Sequence, residues 1–455
     1  GTSVPELGGE RVRIQLGDVE SYVIERYEIR QSFFTQPSTF ALRVGHAAIA
    51  AYLLEVFHPG IEFRLFIVLP DGREVLQMSG VIDACGAEGG AGATEVTLRG
   101  RDWMAPLHDS MSPVEKTFGR ATFADLTETI IKLAGVAEPT FYYSNEANTA
   151  AIQGIPKTET ADVVVERNFT IEDGKAERVA LVSTGEAAGS PYAYDVLPAT
   201  VDKIVAQPDT VAQVTRVVGY TVPNPLKLAL GTTLLHFLQQ EHNRTGLFLL
   251  ATANPREYVL TRPNVLKDPT WRIVRRRGMS WGIVETPQFN NDTAARFSHY
   301  TVRGRGGGGT DSTGAVRKQI EGTYVDQEMV DYGLIKQWSH VDQIAKTSKQ
   351  AEYLARRMAA EKARAGWHLS YKLRGLSWPT IAGGMAVWCR DAVVDVQDDE
   401  LNIHGPHWIS DVAQSGAANG PTTTTITLHR PADQLYGDEV LLPSRVASKK
   451  GWPRK

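Results

Sequence analysis

Cysteine is nearly absent. Two residues in 455, Cys85 and Cys389, lie far apart and support neither a disulfide framework nor a zinc knuckle. They read as two buried or half-buried thiols of a protein made in a reducing compartment. Long apolar runs are missing too. A run such as Phe63–Leu69 falls far short of the ~20 residues that span a bilayer, so no membrane-spanning segment is expected. No charged-then-apolar signal segment opens the chain, which begins GTSVPELGGERVRI. Nor is charge of one sign in excess: 48 basic residues stand against 52 acidic ones, a net of −4. That balance argues against a general nucleic-acid binder.

Catalytic motifs are scarce as well. Gly306–Gly309 resembles a phosphate loop, but the Gly-Lys-Ser/Thr ending is missing. No Gly-x-Ser-x-Gly elbow occurs. His404 and His407 are close enough to share a metal, with Asp398, Asp399 and Glu400 just upstream. A third and fourth ligand have no clear spacing, however, and Gly405-Pro406 reads as a turn, so the two histidines are expected on a solvated loop. Aromatics make up 8% of the chain and are spread over strand-like segments rather than gathered with Arg or Lys. No catalytic residue, cofactor or metal ligand is assigned, and the composition favours a scaffold over an enzyme.

What is present is a folded, β-rich chain. Its 42% hydrophobic and 22% charged residues are ordinary for a globular protein, and its length calls for two to four domains. Alternation predicts strands at Arg11–Leu16, Tyr22–Ile24 and Phe40–Val44. Glu62–Leu69 and Glu74–Met78 read as a hairpin around Asp71-Gly72, followed by strands at Val81–Ala84 and Thr94–Arg99. A short helix is expected at Ile49–Phe57. The stretch LRGRDWMAPLHDS follows as a structural corner in which Arg101 and Asp102 are candidates to pair.

Three longer helices are predicted. Thr122–Ala134 stops at Gly135. Thr232 or Thr233 caps the second, which carries Leu234, Leu235, Phe237 and Leu238 on one face and delivers a hairpin turning at Asn254-Pro255. Thr347–Ala365 ends at Gly366 and delivers the alternating strand Trp367–Arg374. The segment from about 142 to 223 reads as an irregular insertion with some β structure. Further strands are expected at Phe297–Arg303, Met385–Cys389, Val393–Val396, Trp408–Val412 and Thr422–Leu428. Arg272–Gly278 reads as a solvated edge strand. The fold class is α+β, mostly β: two small antiparallel β-barrels (10–110 and 291–436) joined by a helix-plus-hairpin middle (111–290). A basic tail (437–455) carries Lys449, Lys450 and Arg454.

The succession of a small barrel, LRGRDWMAPLHDS, TFADLTETIIKLAGV, TTLLHFLQQEHNRTGLFLLATANPREYVLTRP, SHYTVRGRG and a final helix with a second barrel resembles the baseplate hub proteins of contractile-tailed phages. The likeness is strongest to the Mu-like tail proteins and extends to the hub part of type VI secretion spikes. It implies a homotrimer in which two similar barrels per chain form a pseudo-sixfold ring, bridging the tail tube and the central spike. It also implies a non-enzymatic virion protein that is assembled in the host cytoplasm and touches other baseplate proteins. DNA would pass through a central channel without specific binding.

Candidate structural and interface residues are Arg101, Asp102, Leu234, Leu238, Arg275, Arg276, Arg277, Lys449, Lys450 and Arg454. The alternative is a tail-tip cell-wall hydrolase or carbohydrate-binding protein, which needs a carboxylate pair in a groove and stacking tryptophans; Trp281, Trp338, Trp378 and Trp408 are available.

Overall fold

The computed structural model describes residues 10–17, 19–21, 24–44, 59–90, 93–118, 123–143, 155–171, 176–179, 204–206, 210–221, 226–243, 247–265, 267–278, 282–304, 320–342, 345, 348–417 and 420–434. Seven strands come first: β1 (Arg11–Leu16), β2 (Val19–Ser21), β3 (Arg26–Ser32), β4 (Thr39–Val44), β5 (Glu62–Val68), β6 (Glu74–Gly90) and β7 (Ala93–Asp102). Alternation explains them: Phe40, Leu42 and Val44 on β4 point inward while their neighbours do not. With Ile14, Ile29, Leu65 and Leu98 they belong to one apolar core, which Leu376 and Val387 also join.

A middle region follows. It holds the short helix α1 (Ala105–Asp109), strand β8 (Lys116–Phe118), helix α2 (Phe123–Leu133) and strand β9 (Thr140–Tyr143). An antiparallel ribbon comes next, of β10 (Ile155–Ile171), β11 (Ala176–Val179), β12 (Ile204–Ala206) and β13 (Thr210–Thr221). The described residues of the expected insertion thus include β structure. After β14 (Leu226–Leu228), helix α3 (Leu234–Asn243) leads into the hairpin β15 (Phe248–Ala251) and β16 (Glu257–Thr261). Leu234 and Leu238 are fully buried in one cluster with Met104, Leu107, Leu126 and Ile130, so α3 clamps the other two middle helices onto the hairpin.

The second half holds β17 (Trp271–Arg275) and β18 (Val284–Asn291), then a small unit in which β19 (His299–Gly304), β20 (Glu321–Val325), helix α4 (Gln327–Asp331) and β21 (Gln337–Asp342) lie against helix α5 (Ser348–Gly366). This unit is absent from the sequence expectation, which saw only its helix and one strand. Six strands close the chain: β22 (Trp367–Arg374), β23 (Ser377–Pro379), β24 (Met385–Val387), β25 (Ala392–Asp398), β26 (Ile403–Ala417) and β27 (Thr423–His429). Of these, β23 and β24 form a separate hairpin. Gly366 joins α5 to β22 without a linker. A Cβ there would sit 2.0 Å from the Asp292 carbonyl oxygen, so only glycine fits the junction.

Two barrels were expected; the strands instead join one 13-stranded sheet, and among the described residues no pairing closes either half. Its two halves repeat one plan. The first runs β3-β4-β7-β6-β5-β1 and the second β18-β22-β27-β26-β25-β17, each in the same chain order. The last pair differs, antiparallel between β1 and β5 but parallel between β17 and β25. Details coincide. The β6–β7 ladder skips Asp83 and the β26–β27 ladder skips Ser410, each one residue past an isoleucine. The N–H of Gly60 bonds the Ile82 carbonyl as that of Asp391 bonds Ile409, and both donors have positive φ. Superposed through these bulges, Phe40, Leu42 and Val44 match Leu369, Tyr371 and Leu373, all buried.

The halves meet because β26 is long. On one edge it pairs with β25 over Ile403–Ile409 and then with β3 over Asp411–Ala417. The sequence expectation contained no strand at Arg26–Ser32, and it placed His404 and His407 on a loop. Both histidines and Gly405-Pro406 lie inside β26, because the turn falls earlier, at Asp399–Asn402. The expected helix at Ile49–Phe57, Gly306–Gly309 and the cap candidate Thr347 lie outside the described residues.

The burial of α3 sets a stability expectation. Leu238→Ala should cost about 2–5 kcal/mol in urea unfolding, as large-to-small changes at fully buried leucines do. A loss under about 1 kcal/mol would show that α3 is not part of the core.

Candidate functional site

With no pocket of convergent catalytic groups among the described residues, the region that organises the molecule is the junction of the two halves with the middle. Its centre is Arg390, just before β25. Its guanidinium donates from Nη1 to the Ser32 carbonyl at 2.6 Å and to Ser38 Oγ at 2.9 Å, and from Nη2 to the Ala251 carbonyl at 2.9 Å. One side chain thus ties the second half to β3, to the turn before β4 and to β15. Burial depresses its pKa, and the carboxylates of Asp102, Asp391 and Asp411 oppose that. Sequence reading missed it, since a single Arg in the run WCRDA carries no spacing signal.

Asp391 is the other half of the device. Its Oδ1 accepts from the Asn264 backbone N–H at 2.8 Å and from Trp408 Nε1 at 3.0 Å, and the Asn264 side-chain amide donates to Oδ2. Burial raises its carboxyl pKa and these donors pull it down. Around the polar pair, Phe33 packs edge-on against Trp408 and tilted against Phe248, each at 5.0 Å between centroids. Leu250, Val259, Val265 and Val393 complete that cluster. Glu10 adds a further tie by accepting the backbone N–H groups of Leu376 at 2.6 Å and Ser377 at 2.9 Å, fastening the first described residue to the second half.

The expected Arg101–Asp102 pair does not form. Alternation sends the two side chains to opposite faces of β7. Arg101 forks onto Asp83, the bulge residue of β6, at 2.6 and 2.7 Å and reaches Asp109 Oδ1 at 2.9 Å. Its hydrogen bond holds the Asp109 carboxyl down at about 2. Asp102 is buried instead, accepting the N–H groups of Ser38 at 3.1 Å and Met104 at 3.0 Å. Burial raises its pKa, opposed by Arg390. The corner is real, but Arg101 and Asp102 brace it separately.

Of the other sequence candidates, Leu234 and Leu238 sit in the middle core. Arg275 is held by Asp398, with 3.3 Å between Nη1 and Oδ2, and by Glu400, and Arg272 by Asp395 at 2.7 Å. Arg276 and Arg277 are exposed beyond the end of β17, which lies at a sheet margin as expected. Lys449, Lys450 and Arg454 lie outside the described residues. Cys85 is half-buried, whereas Cys389 is exposed rather than buried. His407 is buried and stacks on Trp367 at 5.5 Å, and no cluster of metal-ligating side chains occurs among the described residues. Trp408 is fully buried and so provides no sugar platform, and Trp281 lies outside the described residues. No helix among the described residues is long and apolar enough to cross a membrane.

Solved structures place this architecture. The tail protein from Neisseria meningitidis MC58 superposes with a TM-score of 0.61 at 17% identity, over 94% of this chain and 99% of that one. The 43 kDa tail protein of prophage MuSo2 from Shewanella oneidensis gives 0.59 at 14% identity, over 93% and 99%. This chain has the fold of a Mu-like phage tail protein. A component of the Escherichia coli type VI secretion system overlays at a TM-score of only 0.42, too loose to build on. No protein-family model matches the chain, and no curated protein matches it in sequence.

Two measurements test the junction of this tail-protein fold. Arg390→Met strips a charged donor from three acceptors and should lower stability by about 3 kcal/mol, with Arg390→Lys recovering only part because an ammonium cannot fork. The readout is the denaturant midpoint at constant slope, and an unchanged midpoint would show that water replaces the guanidinium without cost. The second concerns His429, buried beside Trp408 and depressed to about 4 by burial. Because its folded pKa lies below the unfolded value of 6.5, the unfolded chain binds the extra proton, and stability falls as pH drops from about 6.5 to about 4, by up to roughly 3 kcal/mol. His429→Gln should flatten that slope in Tm against pH. An identical slope would place the His429 proton elsewhere.

Proposed function

We infer that this chain is the structural hub of a phage tail baseplate: a non-enzymatic homotrimer joining the tail tube to the central spike. The observation that carries the reading is the repeated strand plan. A chain holding two copies of one six-strand arrangement presents two near-equivalent positions, so three chains supply six around one axis. That is the form an adaptor between a sixfold tube and a threefold spike must take. The fold likeness to phage tail proteins over nearly the whole of both chains supports the same setting.

In this reading the polar ties at the junction are structural, since they hold the two halves at one fixed angle. The partners are further copies of the chain, the tail tube protein, the spike and other baseplate proteins. The location is the virion tail, after assembly in the host cytoplasm. Arg276 and Arg277 are candidates for an interface or for the wall of a channel through which DNA passes without specific binding. Arg275, paired to Asp398 and Glu400, supports that strand end from within. The tail with Lys449, Lys450 and Arg454 is a candidate dock for the spike or a neighbouring hub chain.

Multi-angle light scattering decides the central point. The expected mass is three times 49.9 kDa, either for the protein alone at high concentration or once the spike is added. A strict monomer under both conditions would sink the hub reading.

A further inference from the structure

The repeat leaves one strand position filled in the first half and empty in the second. β3 pairs on one edge with β4 and on the other with the far part of β26. Its counterpart β18 pairs with β22 and ends the sheet, with no strand on its outer edge among the described residues. The converse gap lies on β6. The far part of β26 spends one edge on β27 and the other on β3, whereas the corresponding part of β6, past the Asp83 bulge, pairs only with β7 among the described residues. Each half therefore carries the missing partner of the other's open edge.

Side chains register the same gap. Aligning β18 on β3 through their ladders to β22 and β4 places Phe289 at the position of Ile29. Ile29 is fully buried, yet Phe289, facing the same side of the sheet, is 44% exposed. Ala87 of β6 stands where Gln414 stands on β26. Gln414 is fully buried under β3 and Ala87 is exposed. The Phe289 ring meets Trp367 edge-on at 5.6 Å between centroids, yet so much apolar surface left exposed on an open sheet edge is costly.

We propose that β18 of one chain adds, antiparallel, to the far part of β6 of the next, reproducing between chains the β3–β26 pairing made within each. The register is transferred from that pair. Asp411 opposite Ser32, Val412 opposite Gln31 and Gln414 opposite Ile29 become Ala84 opposite Asp292, Cys85 opposite Asn291 and Ala87 opposite Phe289. Pro287, whose nitrogen has no hydrogen to give, falls opposite Gly89 and accepts there without donating. The contact is head-to-tail, so three chains close a ring in which every half has both neighbours, whereas a poor closing angle would give a filament. This interface rests on the trimeric reading above and names the surfaces that make it.

The register is directly testable through the native thiol of Cys85. In a hydrogen-bonded antiparallel pair the opposed Cα atoms lie about 5.5 Å apart, within the ~4.4–6.8 Å a disulfide spans. Asn291→Cys in a Cys389→Ser background, oxidised with diamide, should convert the bulk of the chain to covalent multimers on a non-reducing gel. The digest should contain a disulfide-linked peptide pair joining Cys85 to the thiol introduced at position 291. Asn290→Cys turns its thiol to the opposite face and should lose the crosslink. Phe289→Lys should lose the trimer while the chain keeps its folded circular-dichroism spectrum, since Phe289 is already 44% exposed. A preparation of trimer mass that fails to crosslink with Asn291→Cys, or that keeps its trimer with Phe289→Lys, overturns the strand pairing and leaves the hub reading standing. A monomer with and without the spike overturns both.

Discussion

A β-strand has two edges, and the architecture depends on how β26 divides one of them. Its inner half pairs with β25 and so belongs to the second half of the sheet. Beyond the bulge at Ser410 the same edge turns to β3 and belongs to the first. Bulges bend and twist the strand that carries them, and here the bend falls where ownership changes. The Ser410 bulge marks the place where the partner changes.

That shared strand fixes the halves along one line but leaves rotation about it open, and the junction residues remove that freedom. Phe33, Phe248 and Trp408 bury apolar area, which is favourable but directionless. Arg390, Asp391 and Glu10 add direction, since each reaches across to backbone groups of a distant segment. Buried charges carry a desolvation cost that hydrogen bonds only partly offset, so their net stabilisation is small. What they contribute is one geometry chosen over neighbouring ones. In the hub reading proposed above, strand edges must be presented at set angles, and that choice matters more than added stability.

Much of this was legible in the sequence wherever periodicity is strong. The alternation in WHLSYKLR, the Asp71-Gly72 hairpin and the apolar face of α3 all appear in the structure as read. Two kinds of feature were not legible. Strand β3, RYEIRQS, is half charged because one face is solvated, and only the partner β26 reveals it as a central strand. Pro406 suggested a turn because proline normally ends pairing, but it sits opposite Asp395 in the β25 ladder, within an unbroken strand. For Arg101 and Asp102, adjacency in sequence suggested a pair, whereas strand alternation sends Arg101 to Asp83 and Asp102 to the backbone of Ser38 and Met104.

The internal repeat was hidden for a related reason. What the two halves share is the side on which a residue points and the place where a ladder slips, and neither demands the same amino acid. Phe40, Leu42 and Val44 against Leu369, Tyr371 and Leu373 keep burial and lose identity. Gly60 and Asp391 share a left-handed backbone, which glycine adopts freely and aspartate tolerates by bonding locally. Asp83 and Ser410 share a bulge, one held by Arg101 and the other by hydroxyl contacts to Asp411 and Thr427. The bulged backbone is common to both halves, and each half secures it with different chemistry. A repeat of that kind is written in hydrogen bonds rather than in letters, so it becomes visible only once the ladders are laid side by side.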